Sequence, residues 1–178
     1  MSYLLLVLYY YFDKYECFVY LTNLIVCNRF VRDMYSFNMG RVTAYSNLFE
    51  QYLREESPEL MNYLDEQTIN TMTFSIDWFY TLYSRAFDIN IVRVVWDMFF
   101  MFGTEFLIKA GVALICILKE ELMKQYMTEG FNFVRVRTGK LKISAILEKA
   151  LQGKYDPSVF AEEVEALYSP PIERTSTK

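Results

Sequence analysis

The 178-residue chain contains no histidine. This absence excludes catalytic triads and dyads that depend on an imidazole, and metal sites with histidine ligands. The three cysteines, Cys17, Cys27 and Cys116, are odd in number and widely spaced, which argues against a disulfide framework or a zinc cluster. We therefore expect three reduced, buried thiols in a cytosolic protein. We also expect no metal and no cofactor.

Proline and glycine are scarce, with four and six residues. Their scarcity argues against a β-sandwich, a collagen-like chain and a disordered chain. The glycines are isolated from one another, so no phosphate-binding loop is present. The net charge of −4 gives no basic face for nucleic acid. What the chain does contain is 53% hydrophobic and 18% aromatic residues, enough for a sizeable core.

Two apolar runs raise the question of a membrane segment. Residues 1–12 lack a basic leader and a cleavage site, and the run is shorter than the roughly 18 apolar residues that a spanning helix needs. The second run, residues 91–118, is interrupted by four charged side chains. We expect both runs to be buried core helices and no transmembrane segment. The interrupting residues are Arg93, Asp97, Glu105 and Lys109.

Helical periodicity recurs along the first half of the chain. Residues 16–30 are almost continuously apolar, which predicts a helix buried on most sides. Ser57, Pro58 and Glu59 resemble a helix start, with a short helix through about Tyr63. Between these segments, one face of a further helix is predicted from Val42, Tyr45, Phe49, Tyr52 and Leu53.

The second half continues the helical pattern. Asp88 and Asn90 are capping residues before an apolar run, and Gly103 breaks that run before a long helix through about Met123. Asp156 and Pro157 begin a last helix. Residues 133–137 alternate like a strand but have no partner, so we expect a loop or a frayed helix end. Predicted apolar faces comprise Ile76, Phe79, Tyr80, Tyr83 and Phe87; then Ile143, Ile146, Leu147, Ala150 and Leu151; then Phe160, Val164, Leu167 and Tyr168.

No cluster of polar residues predicts catalysis by itself. Arg93 and Asp97 are spaced for an ion pair one helical turn apart, which usually fixes geometry. The cysteines have no activating neighbour. An acidic group and a small basic group are both expected to be solvated surface. Their members are Glu55, Glu56, Glu59, Asp65 and Glu66, and Arg135, Arg137, Lys140 and Lys142.

Residues 74–113 contain a tryptophan-led segment of the form W-x-x-x-L-[FY]-x-[RK], then a W-D pair and then a glycine. This block resembles the signature of TBC-type Rab GTPase-activating domains, and the resemblance covers roughly residues 1–128. We expect these positions to be structural, with Trp78 and Trp96 as buried anchors and Asp97 bonded to backbone or arginine. The matching residues are Trp78, Leu82, Tyr83, Arg85, Trp96, Asp97 and Gly103.

The resemblance implies an all-α, irregular helical array corresponding to the C-terminal lobe of such a domain. It implies a Rab-family small GTPase as partner, a role in vesicle traffic, and a cytoplasmic protein recruited to endomembranes. We expect residues 1–128 to be the C-terminal part of the domain, residues 129–168 its trailing helices, and residues 169–178 a disordered tail.

In this family an arginine finger and a glutamine finger act on the bound GTPase. Neither finger motif is present in the sequence, and Met1 aligns with the methionine that closes the family's Y-x-Q-G-M motif. We expect an incomplete gene model that opens at an internal methionine rather than a real truncated product, because the apolar residues 1–12 should pack against a missing half. We expect no catalytic residue in this chain and no activity from it alone. The alternative function is a non-catalytic helical module that docks a small GTPase or another helical protein.

Overall fold

The computed structural model describes residues 2–129, 142–152 and 156–168, without the side chains of residues 125–129. The described residues form helices and no strand, which confirms the all-α prediction. The predictions for residues 133–137 and for the tail, residues 169–178, lie outside these ranges, as does most of the basic group. The helices are α1 (Ser2–Tyr9), α2 (Lys14–Cys27), α3 (Arg29–Tyr35), α4 (Met39–Glu56), α5 (Pro58–Glu66), α6 (Met72–Thr81), α7 (Ile89–Phe102), α8 (Thr104–Ile117), α9 (Lys119–Glu129), α10 (Ile143–Ala150) and α11 (Pro157–Leu167).

Local capping explains where the first helices begin and end. Asp13 accepts a hydrogen bond from the Glu16 backbone N–H at 2.9 Å, and Glu16 accepts one from the Asp13 N–H at 3.2 Å. This capping box starts α2. Asn28 ends α2 and caps α3 by accepting from the Val31 N–H at 3.0 Å. The single helix predicted over residues 16–30 is therefore two helices.

Helices α4 and α8 form the centre of the fold. Helix α4 packs against α6, α8 and α11, and α8 packs against α7 and α10. The predicted apolar face of α4 is confirmed, with Val42, Phe49 and Leu53 fully buried. Helix α8 has apolar residues on nearly all sides and is buried over most of its length. Helix α10 adds Ile146 and Ala150 to the same core.

The prediction that the helix over residues 16–30 is buried on most sides is wrong. Only Cys17 and Leu21 of α2 are buried, and Phe18 is 67% exposed. Helix α2 packs mainly against α1 and α3, so its apolar side chains outnumber the neighbours available to cover them. The prediction of three buried thiols is wrong for the same helix, because Cys27 at its end is exposed.

Three further helix boundaries differ from the predictions. The apolar face expected to run on to Phe87 is interrupted, because α6 ends at Thr81. The long helix expected to reach Met123 breaks at Leu118 into α8 and α9. Helix α5 extends beyond Tyr63 to Glu66.

The surface prediction for the acidic group around α5 is confirmed. All of its members are exposed, and three of them pair with basic side chains from other helices. Asp65 lies 3.0 Å from Arg54; the other two pairs are Glu56 with Lys149 and Glu59 with Lys119.

No helix in the described ranges is both long enough and apolar enough to cross a bilayer.

Candidate functional site

The turn that follows α6 has two consecutive residues in the left-handed conformation. Leu82 has φ 44° and ψ 46°, and Tyr83 has φ 64°. For residues other than glycine this conformation costs about 1–2 kcal/mol each. The Trp96 indole Nε1–H of α7 donates to the Leu82 carbonyl at 2.8 Å. Because Leu82 is buried, this hydrogen bond satisfies a carbonyl that the helix end leaves without a helical partner.

Tyr83 anchors the turn from its other side. Its hydroxyl donates to the Leu107 carbonyl of α8 at 3.0 Å, and its ring stacks on Phe87 with centroids 4.8 Å apart. Burial raises the pKa of Tyr83, so the phenol stays protonated and remains a donor. Gly111 makes room for this hydroxyl, since a Cβ at that position would overlap it.

Trp78 and Arg85 flank the same turn. Trp78 is 4% exposed and packs edge-on against Phe49 at 6.2 Å between centroids. Arg85 is exposed and pairs with Asp77 at 2.7 Å. Five of the seven predicted signature residues are thus brought together where α6, α7 and α8 meet: Trp78, Leu82, Tyr83, Arg85 and Trp96.

The remaining two signature residues lie further along α7. Gly103 has φ 80° and ψ −165° between α7 and α8, a conformation that is essentially restricted to glycine. Asp97 is exposed, and in the described part of the chain it contacts neither a backbone donor nor an arginine. The expected pair of Arg93 with Asp97 is therefore not formed, and both side chains project from α7 into solvent.

An apolar groove of about 770 Å³ lies where these two charged residues emerge. Helices α1, α2 and α7 form its walls, and Trp96 contributes to its floor. The polar residues that line it, besides Tyr11 and Tyr20, are Asn23, Arg93 and Asp97. The apolar and aromatic lining comprises Val7, Leu8, Tyr11, Phe12, Tyr20, Leu24, Trp96 and Phe100.

Large apolar side chains are also exposed elsewhere on the three helices that form the groove. On α7, Phe100 of the groove is 60% exposed, and Met101, outside the groove, is 72% exposed. Further exposed members on α1 and α2 are Tyr3, Leu6, Tyr9, Tyr15, Phe18 and Val26.

A second cavity, of about 490 Å³, is lined by charged and apolar side chains in similar measure. It lies between α4, α8, α10 and α11. Glu105 is 7% exposed there, pairs with Lys109 at 2.6 Å and accepts from the Asp156 N–H at 3.2 Å. Tyr52 donates to Glu163 at 2.6 Å. Because these charges pair with one another, the cavity has no arrangement for acid–base chemistry, and the described residues include no group suited to a metal ion.

Sequence reasoning missed both the groove and the residues that support Tyr83. The groove is formed by α1 and α2 together with α7, which is distant from them in the chain, so no local pattern connects the two sides. Gly111 did carry a signal: it lies inside a continuous apolar helix, where glycine is unfavourable by about 1 kcal/mol relative to alanine. Such a glycine indicates a close approach, here by the Tyr83 hydroxyl.

The described residues form an all-helical domain with an apolar groove between α1, α2 and α7. The family model for the Rab-GTPase-TBC domain matches residues 1–123, and the chain belongs to this family. A relative is the GTPase activating protein Gyp51 of Schizosaccharomyces pombe, 25% identical over 134 residues, which are 75% of this chain and 12% of that protein.

Two further relatives match shorter parts of this chain. TBC1 domain family member 14 of Bos taurus is 28% identical over 85 residues, 48% of this chain and 12% of that protein. The human ecotropic viral integration site 5 protein homolog is 27% identical over 94 residues, 53% of this chain and 12% of that protein. The chain therefore spans about an eighth of the length of these relatives.

Proposed function

We propose that this chain is part of a GTPase-activating protein for a Rab-family small GTPase, and that its residues supply scaffold and GTPase-facing surface. The observation that supports the proposal is the family match over residues 1–123, which includes the whole structure around the turn after α6. The apolar groove beside that turn provides the surface.

We further propose that residues 1–178 contain neither finger of the family. An arginine finger needs a guanidinium group that is free to reach the transferring phosphoryl group. Of the arginines in the described ranges, Arg93 alone makes no hydrogen bond or ion pair, and it lies in the apolar groove. It is placed to bind an acidic group of a partner. Each of the other described arginines has a partner. Glu165 holds Arg29 and Arg41, the Val26 carbonyl holds Arg32, Asp65 holds Arg54, and Asp77 holds Arg85.

The test is single-turnover hydrolysis by GTP-loaded Rab proteins of the source organism, with and without the protein. Full-length protein is expected to accelerate hydrolysis on at least one of them. Residues 1–178 alone are expected to leave the intrinsic rate unchanged, since an arginine finger supplies about 10³- to 10⁵-fold. Acceleration by residues 1–178 would refute the proposal that the fingers are missing. Failure of the full-length protein on every Rab would refute the GTPase-activating function.

The alternative is a binding module that docks a small GTPase or another helical protein without changing hydrolysis. The groove with its unpaired Arg93 favours this reading. Binding of GTP-loaded Rab to residues 1–178, measured by calorimetry, is expected to weaken when Phe100 is replaced by Asp. Met101→Asp is the matched control, because Met101 is the adjacent exposed residue and does not line the groove. Equal effects of the two variants would exclude the groove as the docking surface.

A further inference from the structure

The groove between α1, α2 and α7 presents aromatic rings to solvent. Four of the side chains that line it are aromatic, with exposed fractions from 38% to 60%: Tyr11, Phe12, Tyr20 and Phe100. Aromatic residues are enriched in protein–protein interfaces, because they bury a large apolar area at a low cost in conformational entropy. The lining therefore has the composition of a surface that another protein covers.

The α7 wall of the groove carries two opposite charges one helical turn apart. Arg93 and Asp97 are both exposed, and neither makes a hydrogen bond or ion pair with a described residue. Their order along the helix explains why they do not pair with each other, since an acid pairs better with a base four residues after it than with one four residues before it. Both charges therefore remain available to whatever occupies the groove.

The order of these two charges is complementary to itself. Four residues of an α-helix rise about 6 Å. When two copies of α7 lie antiparallel about a two-fold axis, Arg93 of one copy faces Asp97 of the other, and both pairs form at the same separation. A two-fold interface requires this reciprocity, in which one residue meets a second and the second meets the first. A parallel arrangement would instead bring like charges together.

A second copy of the chain satisfies the charges of the groove without any further requirement. A different protein would need its own acid and base at the same spacing beside apolar side chains. A second copy supplies both charges, together with an aromatic surface that matches the groove lining in chemistry.

We propose that the groove is the interface of a two-fold symmetric dimer of this chain, in which Arg93 and Asp97 pair reciprocally across the axis. The aromatic linings of the two copies are buried beside these pairs, and the pairs fix the antiparallel register. The dimer needs no GTPase and is independent of the function proposed above. Because both would occupy the groove, dimerisation and GTPase docking exclude each other.

The first test is sedimentation velocity of the full chain over a series of concentrations. The wild-type chain is expected to dimerise. Arg93→Glu and Asp97→Arg are each expected to raise the dimer dissociation constant about 10- to 100-fold, because two exposed attractions become two repulsions. Lys14→Glu is the matched control and is expected to leave the dimer unchanged, because Lys14 is an exposed base of α2 that does not line the groove. Circular dichroism checks that each variant keeps its helices.

The second test mixes the Arg93→Glu and Asp97→Arg chains. In a mixed dimer the two acids of one chain face the two bases of the other, so the mixture is expected to dimerise although each variant alone does so weakly. High salt is expected to weaken the wild-type and mixed dimers and to strengthen self-association of each variant, because salt screens attraction and repulsion alike.

Four results would overturn the proposal. These are a monomeric wild-type chain, a mixture that dimerises no better than its components, and equal weakening by Lys14→Glu. The fourth is a monomer that binds GTP-loaded Rab through the groove, which would assign the groove to the GTPase.

Discussion

Replacing Trp96 by Phe removes the indole N–H that donates to the Leu82 carbonyl at 2.8 Å. Leu82 is 1% exposed, so water does not replace the lost donor. A buried acceptor left without a partner costs about 1–3 kcal/mol, and the smaller ring adds about 1 kcal/mol from lost packing. We expect Trp96→Phe to lower the free energy of unfolding by about 2–4 kcal/mol, measured by urea denaturation with circular dichroism.

Trp78→Phe is the matched control for this measurement. Both tryptophans are 4% exposed, and the Trp78 indole N–H makes no hydrogen bond to a described residue. The control therefore loses ring area without losing a hydrogen bond. We expect Trp96→Phe to be more destabilising than Trp78→Phe by about 1–3 kcal/mol. Equal destabilisation of the two variants would show that the turn does not depend on the indole N–H, and the reasoning about Leu82 would be wrong.

Three further predictions rest on other contacts. Gly111→Ala is expected to destabilise the fold by about 1–3 kcal/mol, because the new Cβ overlaps the Tyr83 hydroxyl; thermal unfolding measures it. Thr68→Gly is expected to add about 0.5–1 kcal/mol in urea denaturation, since Thr68 is exposed after α5 with φ 57°. Burial, with a smaller effect of Tyr80, raises the pKa of Tyr35 to about 12, against about 10 when unfolded. The stability from its neutral phenol is full below about pH 10 and is lost as pH rises through about 12, so Tyr35→Phe should flatten that alkaline decline in urea titrations.

Local signals predicted much of the fold. The face of α4 follows from the spacing of Val42, Phe49 and Leu53, because a helix that packs on one side needs that spacing. Asp88 caps α7 as predicted, accepting from the Asn90 N–H at 3.0 Å. Gly103 ends α7 because the backbone there takes a positive φ. In each case the structural cause lies within a few residues of its effect.

The end of α6 had no such local cause. No glycine or proline follows Thr81, and Leu82 and Tyr83 are unfavourable in the left-handed conformation. The turn depends on hydrogen bonds to Trp96 and Leu107, which are distant in the chain. Periodicity shows which residues are apolar, but it does not show which long-range contacts end a helix. The helix predicted from periodicity therefore ran past the observed end of α6.

Predictions about exposure failed for a different reason. An apolar pattern shows that a side chain favours burial, but α2 packs mainly against α1 and α3, so Phe18 stays exposed. The spacing of Arg93 and Asp97 allows an ion pair, yet an exposed pair on a helix contributes only about 0.3–0.5 kcal/mol. So small a gain does not fix two long side chains, and the spacing alone could not decide the outcome.

Trp96 belongs to both the turn and the groove, so replacing it would change the fold and the proposed docking surface together. Its N–H stabilises the turn after α6, while its ring lines the groove beside Phe100. A binding defect in a Trp96 variant would therefore not distinguish lost contact from a loosened turn. Phe100 is 60% exposed, but its ring packs edge-on against Trp96 with centroids 6.4 Å apart, so a Phe100 variant needs an unfolding measurement beside the binding measurement. We propose that the signature residues serve the fold, and that groove residues outside the signature determine which partner the chain binds.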